Sequence, residues 1–204
     1  MAEKTNKGFW GRIAKLYTPF MSSNRNLYKN ICKLIRPCLA PGTRMLELAT
    51  GPGLLALALG DTGAEITATD YSPQMIAQAQ KQACSPNVHF EVADATALPY
   101  EDSNFDVVLI ANALHIMPAP DKAMAEINRV LRPGGLLVAP TFIHGTGAAL
   151  RLRVGIMRLL GFKVYHKWDG PQLIEFIAEH GFTIQLSQLL GSNLVPLLYV
   201  AATR

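Results

Sequence analysis

The stretch Met45-Leu46-Glu47-Leu48-Ala49-Thr50-Gly51-Pro52-Gly53-Leu54 constrains the fold more than any other part of this chain. An apolar run carrying an acid, then a glycine turn, then the helical run Leu54 to Leu59 describes a buried strand, a tight loop and a helix. Glycine at 51 and 53 lets the backbone approach a ligand where a Cβ would collide. A second apolar run, Ala64 to Thr69, ends in Asp70. That puts a carboxylate at the tip of the neighbouring strand, where it can accept two ribose hydroxyls and exclude a phosphorylated ribose. The combination reads as a site for a nucleotide-type cofactor. Gly51-Pro52-Gly53-Leu54-Leu55-Ala56 also fits the dinucleotide fingerprint G-x-G-x-x-G/A, so NAD is one candidate.

From Met45 the pattern alternates: strand to Ala49, helix to Leu59, strand 64–69, then helix 73–83 with Ser72 as N-cap and Pro73 in its first turn. Strands 88–92 and 105–111, helix 120–131 and strand 135–141 follow. Such alternation predicts a parallel sheet with helices on both faces, whose ligands bind outside the carboxyl ends of the strands. Glu47, Asp70, Asp94 and Asn112 all fall there. Two amphipathic helices, Phe9 to Met21 and Leu27 to Leu39, precede this core. After it come a helix over 148–160, the aromatic-rich run Phe162 to Trp168, and a helix from Pro171 to Glu179. Strands Phe182 to Ser187 and Leu194 to Ala201 close the chain around Gly191-Ser192-Asn193, a hairpin connection that makes the last strand antiparallel.

With 204 residues, half of them hydrophobic, the chain is expected to be one domain with a substantial core. No apolar run approaches the roughly 18 residues of a membrane span, and Met1 to Lys7 lacks the apolar stretch of a signal peptide, so a cytoplasmic location is expected. Cys32, Cys38 and Cys84 have neither C-x-x-C spacing nor an even count, which argues against a disulfide framework or a zinc site. The net charge of +4 is unevenly spread: residues 1–44 hold nine Lys/Arg and one acid, residues 45–144 four and eleven, residues 145–204 six and three. Basic flanks, with Arg151, Arg153 and Arg158 close together, predict weak, salt-sensitive attraction to an anionic acceptor or membrane surface, if they are more than solvated helix faces.

Three further segments decide between cofactor classes: Phe90-Glu91-Val92-Ala93-Asp94-Ala95-Thr96-Ala97-Leu98-Pro99, Asn104-Phe105-Asp106-Val107-Val108-Leu109-Ile110, and Leu131-Arg132-Pro133-Gly134-Gly135-Leu136-Leu137-Val138. Together with the glycine loop and Asp70 they resemble the class I S-adenosylmethionine (SAM)-dependent methyltransferases over roughly Pro41 to Thr141, closest to the small-molecule and quinone-biosynthesis group. One departure is Ala49, where the family's loop often has its first glycine; the expectation is an intact but slightly wider turn. The resemblance implies a Rossmann-like, doubly wound α/β sheet of seven strands, mostly parallel with the last strand antiparallel. It also implies one methyltransferase domain: a helical cap over 1–44, a SAM-binding core over 45–141, a substrate-covering insertion over 142–170, and a C-terminal helix and strand pair over 171–204.

For SAM and its product S-adenosylhomocysteine (SAH), the resemblance implies contacts from Glu47 to the amino group and from Ala49, Thr50, Gly51 and Gly53 to the methionine moiety. Asp70 meets the ribose, Tyr71, Met75, Asp94 and Ala95 the adenine region, and Asn112 faces the donor from the fourth strand. His115 is the candidate general base, with pocket-lining and purely structural roles as alternatives. Tyr17, His144, Tyr165, His166 and Trp168 are candidates for the substrate pocket, with core packing as the alternative for each. No metal is expected, since methyl transfer from a sulfonium needs mainly proximity and alignment, worth roughly 7 to 11 kcal/mol of barrier. Without an N/D-P-P-Y motif or an appended binding domain, a small-molecule acceptor is expected and nucleic acid is not. Two other readings stay open: a SAM-binding protein without turnover, and an NAD-dependent oxidoreductase, which would leave the R-P-G-G turn unexplained and lacks a Y-x-x-x-K pair.

Overall fold

Four consecutive buried residues, Met45 to Leu48, make β1 (Arg44–Leu48) a strand covered on both faces, which is how parallel sheets differ from half-exposed ones. The computed structural model describes residues 25–83, 85–143, 163–192 and 195–204. The expected helices over 9–21 and 148–160, Tyr17, His144, Cys84, Asn193 and the arginines Arg151, Arg153 and Arg158 lie outside the described residues.

Helix α1 (Arg25–Ile35) buries Leu27, Ile31, Cys32 and Ile35, one stripe of an amphipathic helix, and passes at Pro37 into a 3₁₀ turn, Arg36–Cys38. After β1 come α2 (Leu54–Leu59), β2 (Glu65–Asp70), α3 (Pro73–Gln80) and β3 (Val88–Val92). Then follow β4 (Phe105–Ile110), a 3₁₀ turn over Leu114–Ile116, α4 (Pro120–Val130), β5 (Leu131–Val138) and β6 (Thr141–Phe142). Helix α5 (Gly170–Glu179) and strands β7 (Thr183–Ser192) and β8 (Val195–Thr203) complete the fold. Ser72 caps α3 as expected, its Oγ accepting from Met75 N at 3.4 Å with Pro73 in the first turn. Helix α5 begins one residue earlier than expected. Asp169 closes a reciprocal capping box with Gln172, the Asp169 carboxylate taking Gln172 N at 2.9 Å and the Gln172 side chain taking Asp169 N at 3.0 Å.

The sheet order is β3-β2-β1-β4-β5-β8, with β7 on the far edge of β8. Strands β1 to β5 are mutually parallel and β8 runs antiparallel to both neighbours. Where seven strands were expected there are eight, and the extra one has a simple origin. Strand β5 pairs with β8 from Leu136↔Thr203 to Val138↔Ala201, and β6 continues that register at Thr141↔Leu198 and Phe142↔Leu197. Ala139 N still donates to Val200 O at 2.8 Å, and Pro140 interrupts the ladder because proline has no N–H to give it, so eight strands occupy seven positions. The hairpin is also longer than expected: β7 and β8 pair as far as Ser192↔Val195.

The core lies in two layers. Residues from α1 and α2, such as Ile31, Leu55 and Leu59, cover one face of the sheet. Residues from α4 and α5, such as Met124, Ile127, Leu173 and Ile177, cover the other. The two layers leave the carboxyl ends of β1, β2 and β4 to a cavity.

Candidate functional site

The loop that leaves β1 alternates into the left-handed region at Ala49 (φ 54), Gly51 (φ 57) and Gly53 (φ 81). Thr50 N donates to Thr69 O at 2.9 Å and Gly53 N to Thr50 O at 3.1 Å, which ties the loop to β2 and closes its turn. Alanine at 49 therefore does not divert the loop; it accepts a conformation that costs an L-residue roughly 1 to 2 kcal/mol. The two glycines do different work. Gly51 lines the cavity, whereas a Cβ on Gly53 would stand 2.7 Å from the Phe90 ring and 3.1 Å from Ala79 Cβ. Gly53 thus makes room for β3 and α3, and the close approach expected there is to protein.

Asp70 ends β2 with both carboxylate oxygens already oriented. Oδ2 accepts from Gly51 N at 2.9 Å and Oδ1 from Ser72 N at 2.8 Å, while its backbone carbonyl takes Ala93 N at 3.2 Å. Burial pushes this carboxyl upward, opposed by the two peptide N–H donors. Each oxygen retains acceptor capacity toward the cavity that Asp70 lines. Glu47, two residues before the loop, is 2% exposed and lies beneath it. Burial raises its carboxyl from an ordinary 4.5 to about 8, helped by the Asp70 charge and opposed by the backbone N–H of Ala56. Among the described residues, its Oε2 and the Thr50 hydroxyl are buried without a hydrogen-bond partner.

The cavity holds about 1050 Å³ of space including its mouth. Of the cofactor candidates, Ala49, Gly51, Asp70, Tyr71, Met75, Asp94 and Asn112 line it. Glu47, Thr50, Gly53 and Ala95 do not; Ala95 packs inward on the core. Asp94 is pre-shaped by its own turn, its Oδ1 accepting from Thr96 N at 2.8 Å and Thr96 Oγ1 at 2.7 Å. Of the acceptor-side candidates, Tyr165 lines the cavity. His115 sits in the 3₁₀ turn after β4, outside the lining, and its carbonyl accepts from Tyr165 N at 3.0 Å and His166 N at 3.1 Å. His166 stacks on Trp168 with ring centres 5.1 Å apart, and Trp168 stacks on Phe176 of α5 at 4.5 Å.

Sequence reasoning missed Thr96, Ala111, Ile116, Met117 and Ala119 as cavity walls. They belong to the segments after β3 and β4, and the rule that ligands gather at the carboxyl ends of strands would have found those segments. Their side chains carry no chemistry that draws attention in a sequence.

Two polar atoms buried without partners among the described residues, Glu47 Oε2 and Thr50 Oγ1, and a ready-made pair of carboxylate acceptors at Asp70 sit around this end of the sheet. That set suits a ligand with an amino group and a ribose. A family model described as a methyltransferase domain matches residues 46–139, the span from β1 to just past β5 that contains all of these groups. The chain is 39% identical over 141 residues to a demethylmenaquinone methyltransferase of Renibacterium salmoninarum, covering 68% of this chain and 59% of that protein. It is 42% identical over 125 residues to the demethylmenaquinone methyltransferase of Thermus thermophilus, covering 58% and 57%. The chain thus spans somewhat over half the length of these curated relatives. A SAM-dependent methyltransferase of Thermotoga maritima shares the fold with a TM-score of 0.77 at 20% identity, over 96% of this chain and 98% of that one. Phosphoethanolamine N-methyltransferase 2 of Haemonchus contortus, solved with SAM, gives 0.71 at 20% identity over 88% and 52%. By these matches and by the order of its strands, the chain belongs to the class I SAM-dependent methyltransferases and is similar over its core to the demethylmenaquinone members of that family.

Proposed function

We propose that this chain binds SAM across the carboxyl ends of β1 and β2 and transfers its methyl group to a small apolar acceptor that carries a ring oxygen, a demethylated quinol of the kind its relatives are named for. The single observation that carries the cofactor half is Asp70, whose two oxygens are fixed by Gly51 N and Ser72 N while the carboxylate lines the cavity. In this reading Asp70 takes the ribose hydroxyls, Asp94 and Tyr71 flank the adenine, and Glu47 and the loop from Ala49 to Gly51 meet the methionine portion. Bound there, SAM supplies a methyl group on a positively charged sulfur, so the protein's task is alignment and exclusion of water.

Support for the acceptor class comes from the wall after β4. Ala111, Ala113, Ile116 and Met117 are apolar, Tyr165 adds a phenol, and among the described residues no lysine or arginine lines the cavity. An apolar ring suits that wall better than a charged headgroup. His115, in the turn that carries Ile116 and Met117 into the wall, is the base proposed for the proton that the acceptor loses.

The test is direct: incubate the purified chain with SAM and a short-chain demethylmenaquinol, and look by mass spectrometry for the methylated quinol and SAH. Asp70→Asn should weaken SAH binding roughly tenfold or more, since a charge-assisted hydrogen bond contributes about 1.5 to 3 kcal/mol. Absence of SAH binding by the wild type would end the cofactor reading. Tight SAH binding with no methylated quinol would favour the non-enzymatic SAM-binding reading or another acceptor.

A further inference from the structure

Asn112 is held in a way that packing alone does not require. It follows β4 in the left-handed region, φ 55, which asparagine tolerates better than most residues but still at a cost. Its backbone N donates to Pro140 O at 2.8 Å, and its Oδ1 accepts from Phe142 N at 3.2 Å. One anchor comes from the interruption between β5 and β6, where Pro140 leaves the ladder, and the other from the end of β6.

Those anchors settle which way the carboxamide faces. Rotating it by half a turn would set its NH₂ against the Phe142 N–H, two donors with nothing to share. Nδ2 must therefore point away from β6. It is buried and has no hydrogen-bond partner among the described residues, and Asn112 lines the cavity. A strained backbone thus holds a fixed, unanswered donor at the site.

Its place in the sheet says which half of the site it serves. The glycine loop and Asp70 stand at the ends of β1 and β2, while Asn112 stands at the end of β4, on the opposite side of β1, tied to the β5–β6 break. Beside it on the wall are Ala113, Ile116 and Tyr165, and among the described residues no charged side chain of that half lines the cavity. A neutral donor in apolar surroundings selects a neutral or weakly anionic oxygen on a flat apolar body. We propose that Asn112 Nδ2 recognises a phenol, enol or carbonyl oxygen of the methyl acceptor and so orients the ring toward the donor. This inference rests on the methyltransferase reading and adds to it the group that reads the acceptor's oxygen.

The experiment uses the protein saturated with SAH and two probes of similar shape, 1-naphthol and 1-methylnaphthalene, which differ by the oxygen. The wild type should bind 1-naphthol about tenfold more tightly, the usual worth of one hydrogen bond that would otherwise go unmade. Asn112→Gly removes the donor and suits the left-handed φ, which offsets the lost acceptor for Phe142 N and the added chain entropy, so it should fold with a Tm close to wild type. Its preference should fall to within about twofold, with SAH affinity also within about twofold of wild type. Asn112→Asp keeps the acceptor for Phe142 N but has no donor, and should lose the preference too. A wild type without preference for the oxygen, or an Asn112→Gly protein that retains it, would overturn the assignment. So would a tenfold loss of SAH affinity in Asn112→Gly with the probe preference intact, which would give the amide to the cofactor. If the wild type failed to bind SAH at all, the methyltransferase reading would fall first; a missing oxygen preference with SAH bound strikes only Asn112.

Discussion

Ala49 and Asn112 are non-glycine residues at positive φ on the two strands that flank the central crevice, β1 and β4, which pair as far as Leu48↔Ile110. Strain of this kind persists where surrounding structure over-determines it, and it concentrates at functional sites. At Ala49 the determinants are Thr50 N on Thr69 O and the turn closed by Gly53 N on Thr50 O. Ala49→Gly should relieve roughly 1 to 2 kcal/mol of left-handed strain and return roughly 0.5 to 1 kcal/mol in extra chain entropy of the unfolded state. The net expectation is a modest gain, about 0.5 to 1 kcal/mol, read as a higher Tm with SAH affinity little changed. A lower Tm would mean that the Ala49 methyl contributes more packing than its dihedral costs. The identity of this loop is plain in the sequence, down to the alanine in place of a glycine, but the sign of the dihedral is not. It is set by the hydrogen bond from Thr50 N to Thr69 O of β2, and no local propensity reports such a distant partner.

At the scale of elements, what was legible is what repeats: buried strands, the amphipathic stripe of α1, and Ser72-Pro73 at the start of α3. What was not legible depends on partners distant in the chain. The β5–β6 break is invisible as a turn because Ala139-Pro140 sits inside an apolar run, and Asp169 reads as the one acid of a basic stretch although it caps α5. The segment after Asp94 gives a third case. Arg129 of α4 donates to Leu98 O at 3.1 Å and Tyr100 O at 2.7 Å, and it pairs with Glu126 and Asp102, each at 2.8 Å. Glu126 in turn accepts Leu98 N at 2.7 Å. One i,i+3 pair on a helix thus clamps residues 98–102, immediately after the Asp94-Thr96 turn that lines the cavity. Arg129→Met should leave two carbonyls and two carboxylates without their donor and destabilise the fold by about 1 to 2 kcal/mol, a figure discounted because the guanidinium is 30% exposed and screened. SAH affinity should fall several-fold, whereas Lys122→Met on the exposed side of the same helix should change neither. Equal effects from both substitutions would reduce the clamp to ordinary surface charge.

For the molecule as a whole, the buried acids beneath the glycine loop make stability and ligand binding depend on pH in opposite senses. Glu47 of β1 is surrounded by groups that disfavour its charge: the layer formed by α1 and α2 buries it, Asp70 of β2 is a like charge, and Cys32 of α1 is a neutral thiol pushed upward partly by Glu47 itself. The Ala56 N–H at the start of α2 favours the ionised form. The folded carboxyl titrates near 8 where the unfolded one titrates near 4.5, so the folded state holds the extra proton between those values. A raised carboxyl contributes its stability in full below about 4.5 and loses it as pH climbs toward about 8, by an amount on the order of a few kcal/mol. Asp70 is shifted in the same direction and adds to the trend. Tm should therefore fall with rising pH across that window, and Glu47→Gln should flatten the slope. A bound ligand whose amino group pairs with Glu47 reverses the preference, since it needs the carboxylate. SAH affinity should then rise with pH up to about 8, by as much as tenfold per unit, and calorimetry in buffers of different ionisation enthalpy should show release of up to one proton on binding. Glu47→Gln should abolish that release while leaving the Asp70 contacts in place. Proton release undiminished in Glu47→Gln would assign the titration to another group, and a flat affinity profile in the wild type would separate Glu47 from the ligand's amino group.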